Sequence, residues 1–214
     1  MNQENLRKFE GLLIKNRRST GVEFSDLELE RLKRYYELVL KWNARLHLTT
    51  LTTPSEFFLR HIYESDFAET FILPSIDQIW DLGTGLGVPG IPLAILRPEL
   101  IVNLVEAKRG KVIFLEEAAS ALKLTNVRVV GARIESIGQF PIDSCLIARA
   151  VENMENIVLE MIALGRNCRQ IVVLGAEELG DKFRDFFESE FCISIAPIPG
   201  SERRYIINVL SSST

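Results

Sequence analysis

The stretch Trp80-Asp81-Leu82-Gly83-Thr84-Gly85-Leu86-Gly87-Val88-Pro89-Gly90 carries the residue types and spacing that say most about chemistry. An apolar run from Gln78 to Leu82 leads into it, and a helical stretch from Pro89 to Leu96 leads out. Glycines at such a junction let the backbone turn tightly and approach a ligand with no side chain in the way. Read from Gly85 to Gly90, the spacing also fits Gly-x-Gly-x-x-Gly, which by itself is a dinucleotide fingerprint. Asp81, two residues ahead of Gly83, shifts the balance towards S-adenosylmethionine. A carboxylate at that strand end lies near the ligand's amino-acid end and meets no pyrophosphate to repel.

In an open α/β sheet, ligands sit outside the carboxyl ends of the strands, so the other strand ends matter too. The second ends in Val105-Glu106, an acid 19 residues after Gly87, suited to accepting both hydroxyl protons of a ribose diol. The third runs into Gly131-Ala132-Arg133-Ile134-Glu135, where the turn's backbone and an apolar side chain could hold an adenine. The fourth ends in Ala148-Arg149-Ala150; an arginine closing an apolar strand is costly to bury without a partner, which points it at the ligand crevice. Methyltransferases of exocyclic amines usually carry an Asn/Asp-Pro-Pro-aromatic turn after this strand, and carbon-5 enzymes need a cysteine nucleophile. Ser144 to Val151 has neither, and Cys145 lies inside the strand, a packing position. A purine N7 has an exposed lone pair and no proton to lose. Alignment alone could supply most of its methylation rate, so no general base is expected.

The elements that must position these residues fall into two regions. Residues 1–75 read as a helical extension. Leu6, Phe9, Leu12 and Leu13 recur at helical spacing, and Ser25-Asp26-Leu27-Glu28 and Thr53-Pro54-Ser55-Glu56 are capping boxes. The first box opens a helix bearing Leu32, Tyr35, Leu38, Val39 and Trp42. The second opens a segment with Phe57, Phe58, Ile62, Phe67 and Phe71. Residues 76–214 then alternate. Strand-like runs at 78–82, 101–106, 127–130, 144–148 and 170–174 are separated by helical stretches at 89–96, 110–122 and 152–164. That rhythm implies parallel crossovers in a doubly wound α/β sheet. After a charged helix at 177–190, strands at 192–197 and 204–210 are joined only by a Pro199-Gly200 turn and must be antiparallel. Parallel units closed by an antiparallel hairpin are the order of a class I methyltransferase (Rossmann-like) fold. A nicotinamide-dependent oxidoreductase, the competing enzyme reading, would be expected to continue with parallel units.

Bulk properties narrow the setting. A length of 214 residues suits one compact unit with a small appendage, and 47% hydrophobic with 25% charged residues is ordinary for a globular chain. No apolar run approaches the roughly 20 residues a membrane helix needs. No apolar signal core follows Met1, so a cytoplasmic protein is expected. Cys145, Cys168 and Cys192 read as buried reduced thiols, and His47 and His61 alone, with no cysteine pair, give no reason to expect a metal site. Net charge is −4, yet residues 1–50 hold ten Lys or Arg against seven Asp or Glu, a mildly basic start that could dock on a phosphate backbone.

Lys41-Trp42-Asn43, Leu48-Thr49, Arg60-His61, the loop from Asp81 on through Ile95, Arg97-Pro98, Lys111-Val112, Phe114-Leu115, Arg133-Ile134-Glu135, Arg149-Ala150 and Glu202-Arg203 occur in one order along the chain. In this set the sequence resembles the bacterial small-subunit ribosomal RNA guanine-N7 methyltransferases, also called glucose-inhibited division protein B. The resemblance implies methyl transfer from S-adenosylmethionine to a guanine N7 in the 530 loop of 16S ribosomal RNA, on naked RNA or on the 30S subunit. It places cofactor contacts at Gly83, Val88, Ile134, Glu135 and Arg149, with Glu106 in the family's acidic position, beside Asp81, Gly85 and Gly87 from the loop itself. It places Arg133 and Arg203, with Arg60 and His61, near the RNA or the target base. The sequence departs from the family at Gly175, where a lysine is usual, and at His47, Glu64 and Val151. Gly175 removes a cation and keeps open a non-enzymatic alternative, an RNA-binding or ribosome-assembly factor with reduced or lost catalysis.

Overall fold

Ser25 Oγ accepts the backbone N–H of Glu28 at 3.4 Å while the Glu28 carboxylate takes the Ser25 N–H at 2.6 Å, so the first capping box closes in both directions. The computed structural model describes residues 3–16, 18–149, 161, 163–165, 167–187 and 191–211. The helix expected at 152–164 lies almost wholly outside them, as do Val151 and the last three residues of the helix expected at 177–190.

Helix α1 (Gln3–Lys15) packs Phe9 against Tyr36 of α2 (Asp26–Leu46), with ring centroids 4.5 Å apart. Helix α2 buries Leu32, Tyr35, Tyr36, Leu38 and Val39 and stops at His47, which turns into the left-handed region at φ 46°. The segment behind the second capping box does not run as one regular helix. Helix α3 (Pro54–Phe57) passes into a π-helical turn at Phe58–Tyr63 and then into α4 (Glu64–Glu69). A π turn holds one residue more than an α turn and so rotates the residues after it, and such turns gather at functional sites. Here it carries Arg60 and His61, and His61 is fully buried.

Strands β1 (Gln78–Leu82), β2 (Ile101–Val105), β3 (Val127–Val130), β4 (Ser144–Arg149), β5 (Gln170–Gly175), β6 (Phe191–Pro197) and β7 (Tyr205–Ser211) form one seven-stranded sheet in the order β3-β2-β1-β4-β5-β7-β6. The first five pair in parallel, and β7 inserts antiparallel between β5 and β6. Strands β4 and β5 are apolar almost throughout because both of their faces are covered. Helices α5 (Gly90–Leu96) and α6 (Arg109–Ala121) follow β1 and β2. One continuous apolar cluster joins Phe9, Tyr35 and Phe57 of the helical extension to Ile79, Leu104 and Phe114 of the sheet layer. Polar ties reinforce the joint: the Tyr35 hydroxyl donates to the Leu86 carbonyl at 2.8 Å, and Arg97 binds Glu69 at 3.1 Å. Within the extension, Arg18 binds Asp66 at 3.0 Å and Glu69 at 2.6 Å. Cys145 and Cys168 are buried, but Cys192 is exposed on edge strand β6, a correction to the sequence reading. No helix among the described residues is long and apolar enough to cross a membrane, and no group of three His, Cys, Asp or Glu among them is placed to hold a metal.

Candidate functional site

The carboxyl ends of β1 and β4 open onto a cavity of about 340 Å³. One wall is the loop after α2, residues 47–51; the other is Gly83 to Leu86 with Val88; Lys111 of α6 and Arg149 of β4 supply the charges. A hollow of about 400 Å³ beside Arg34, Glu37 and Lys41 of α2 meets neither the glycine loop nor a strand end.

The glycine loop is held from beneath. Asp81 is fully buried; its Oδ2 accepts the Gly90 N–H at 2.8 Å and the Thr84 hydroxyl, so it ties the start of α5 back to β1. Gly90 is required by this approach, since a Cβ there would lie 2.2 Å from Leu104 Cδ2 and 2.7 Å from Asp81 Oδ2. Among the described residues Asp81 Oδ1 has no hydrogen-bond donor, a costly state for a buried carboxylate oxygen. Burial raises the Asp81 pKa from 3.8 to about 6, against the opposing pull of Thr84 and Gly90. The folded state therefore holds this proton more tightly than the unfolded chain. The resulting stabilisation is complete below the ordinary carboxylate pKa and is lost as pH rises through 6, by up to roughly 3 kcal/mol. Asp81→Asn, whose amide oxygen can still accept both bonds, should lose this slope. Urea denaturation from pH 5 to 7.5 should show wild type falling relative to the variant, and parallel curves would contradict the assignment.

Glu106, immediately after β2, is buried and already engaged: Oε2 accepts the Gly85 N–H at 3.1 Å and Oε1 the Lys108 N–H at 2.8 Å. An ionised carboxylate offers about four acceptor sites, so two are left for a ligand diol. Arg149 Nη1 donates to the Arg60 carbonyl at 2.8 Å and to His61 Nδ1 at 2.7 Å. Burial pushes Arg149 down to about 10, which still leaves a guanidinium at neutral pH. Behind it lies fully buried Glu64, paired with Arg60 at 2.9 Å, with Arg204 at 3.7 Å, and bonded by the Ser201 hydroxyl at 2.8 Å.

A family model described as rRNA small subunit methyltransferase G matches residues 28–195. The chain belongs to this family. A ribosomal RNA small subunit methyltransferase G of Pseudomonas putida is 34% identical over 195 residues, covering 89% of this chain and 90% of its own. One of an Exiguobacterium species is 32% identical over 184 residues, covering 82% and 76%. Among solved structures, a mutant of MtNAS in complex with S-adenosylmethionine superposes with a TM-score of 0.57 at 13% identity, over 97% of each chain. The fold is that of the class I S-adenosylmethionine-dependent methyltransferases.

Within this family fold, the residues singled out from the sequence separate into groups. Gly83, Gly85, Val88 and Arg149 line the cavity together. Asp81 and Glu106 brace the loop, and Gly87 packs against Ile91, where a Cβ would come within 2.5 Å of its Cδ1. Ile134, in the short 3-10 turn Ile134–Ser136, is buried in the apolar cluster on the other side of the sheet, with Arg133 and Glu135 exposed beside it and outside the cavity lining. Arg203 is exposed in the turn before β7, at φ 53°. His61 is fully buried, and Arg60 is half-buried and paired with Glu64 at 2.9 Å. The sequence reading also missed Thr49 and Lys111 as cavity residues. Lys111 falls in the first turn of a helix directly after the Glu106 strand end, a positional signal that could have found it. Thr49 gives no such signal, because its place depends on where α2 stops.

Proposed function

We propose that this chain transfers a methyl group from S-adenosylmethionine to the N7 of a guanine in the 530 loop of 16S ribosomal RNA, as RNA or within the 30S subunit. The observation that carries the reading is the cavity at the carboxyl ends of β1 and β4, walled by left-handed glycines, in a chain of this family. The residues present fit the methyl donor. Gly83 and Gly85 leave backbone open to it, Glu106 has acceptor capacity for its ribose, and the orphaned Asp81 Oδ1 suits an ammonium donor. When bound, S-adenosylmethionine supplies a methyl group made electrophilic by its sulfonium. The protein's part is to hold and align. His61 has both ring nitrogens engaged, and burial pushes the Cys145 thiol well up, so neither is offered as a base or nucleophile. The helical extension 1–75 contributes the 47–51 wall and the core 76–214 the rest, and the exposed cations Arg133 and Arg203 are the candidates for RNA contact.

The deciding experiment is methyl incorporation into 16S RNA or 30S subunits from a strain lacking this protein, with the product identified as N7-methylguanine by mass spectrometry. No incorporation, or methylation elsewhere, would reject the reading. Hydrogen bonds to an ionised acceptor are each worth roughly 1.5–3 kcal/mol, so Glu106→Ala should weaken S-adenosylhomocysteine binding by at least about tenfold. Affinity within twofold of wild type would leave Glu106 a brace of the loop alone. Because N7 has no proton to lose, single-turnover rates with both substrates saturating should be flat between pH 6.5 and 8.5. A bell-shaped profile would report an essential acid and base and contradict the mechanism.

A further inference from the structure

We propose that His61 is a positioning residue that couples the two charged and polar walls of the cavity, Arg149 on β4 and Thr49 on the loop after α2. The inference rests on the reading of the cavity as the methyl donor's site. It begins with donor and acceptor accounting. A guanidinium only donates, so the 2.7 Å contact from Arg149 Nη1 requires a lone pair on His61 Nδ1. The ring proton is then on Nε2, which lies 3.2 Å from Thr49 Oγ1 and donates to it. The same oxygen accepts the Leu51 N–H at 3.0 Å. Both lone pairs of the Thr49 hydroxyl are thereby filled, and its own proton is left to point at an acceptor. Direction runs one way along the chain, from Arg149 through His61 to Thr49.

The anchors at each end are stiff. Asn43 grips the Thr49 backbone on both sides, accepting its N–H at 2.9 Å and donating to its carbonyl at 2.9 Å. Phe57 meets the imidazole edge-on, with centroids 4.7 Å apart at 83°. The charged groups around the ring are Arg149 from β4, Arg60 and Glu64 from its own segment, and Arg204 behind Glu64; Tyr35 of α2 faces Arg149, and Phe57 and Thr49 add no charge. Burial and the two nearer arginines hold His61 well below its ordinary pKa. A proton on Nδ1 would oppose a guanidinium donor and break the chain at its centre. Neutral His61 thus makes the arginine and the threonine move as one unit.

Two measurements on the full-length protein test this. The first is a double-mutant cycle of His61→Phe and Arg149→Ala, read as S-adenosylhomocysteine affinity by calorimetry. His61→Phe should cost about tenfold in wild type and less than twofold in the Arg149→Ala background, because the effect travels through Arg149. An equal loss in both backgrounds would reduce His61 to packing and overturn the proposal. The second needs no ligand: nitrogen-15 spectra of the imidazoles from pH 6 to 8, assigned with His47→Gln. The expected signature is a bare Nδ1 and a protonated Nε2 throughout, with Thr49→Val moving the Nε2 signal. A protonated Nδ1 in that range would overturn the proposal. If wild type binds no S-adenosylhomocysteine, the cofactor reading fails by itself, and the spectra still decide the relay.

Discussion

Arg149→Ala is expected to be the most damaging single substitution at the site, lowering both stability and cofactor affinity. Truncation removes the donor of two hydrogen bonds and strands their acceptors, the Arg60 carbonyl and His61 Nδ1, where water has little access. Each buried orphan costs about 1–3 kcal/mol, so a loss near 3 kcal/mol is expected. For a chain of this size that is a fall of roughly 6–12 °C in Tm. Loss of the cavity's guanidinium should weaken S-adenosylhomocysteine at least about tenfold. Arg149→Lys keeps a charge but not a rigid fork reaching two acceptors, and should recover only part of either quantity. A Tm within two degrees of wild type, with affinity unchanged, would show that the arginine is a bystander.

Gly85→Val should abolish S-adenosylhomocysteine binding while leaving the fold in place. Gly85 has φ +62°, a conformation costing a branched side chain at least about 1–2 kcal/mol, and it lines the cavity. The atoms nearest to a Cβ added there stand well clear, Lys111 Nζ at 3.7 Å and the Gly83 carbonyl at 3.9 Å, so the extra methyls enter the ligand's space without striking the core. Gly90→Ala makes the contrast. Its Cβ would collide with Leu104 and Asp81 beneath the loop, so it should damage the fold itself. Circular dichroism and calorimetry on the pair separate the outcomes. Full binding by Gly85→Val would remove the glycine loop from the ligand site, and a well-folded Gly90→Ala would remove Asp81 as its lock.

Much of the architecture is legible in the sequence because its signals are local. Parallel strands buried on both faces read as apolar runs, and Val127–Val130 is bounded to the residue. The closing hairpin declares itself through a turn too short for a crossover. The illegible parts depend on distant pairing or on one residue of helical pitch. Nothing local says that β7 slips between β5 and β6, since only the register Gly175 to Tyr205 expresses it. At Phe58–Tyr63, α and π turns share much of an apolar pattern, so the rotation that buries His61 leaves no trace. Glu106 stands out by its place after a strand, but its two backbone donors are visible only in three dimensions.

The cavity draws its walls from residues 47–51, 83–88, 111 and 149, so no continuous stretch of chain owns it. During synthesis the site cannot exist until β4 has emerged and paired beside β1, well after the glycine loop has been made. Contacts so widely separated in sequence are late and slow to form, and partly folded chains should be blind to the ligand. Binding therefore acts as an audit of the whole molecule: ligand held only by the finished fold adds to its stability by mass action, in proportion to the logarithm of concentration over Kd.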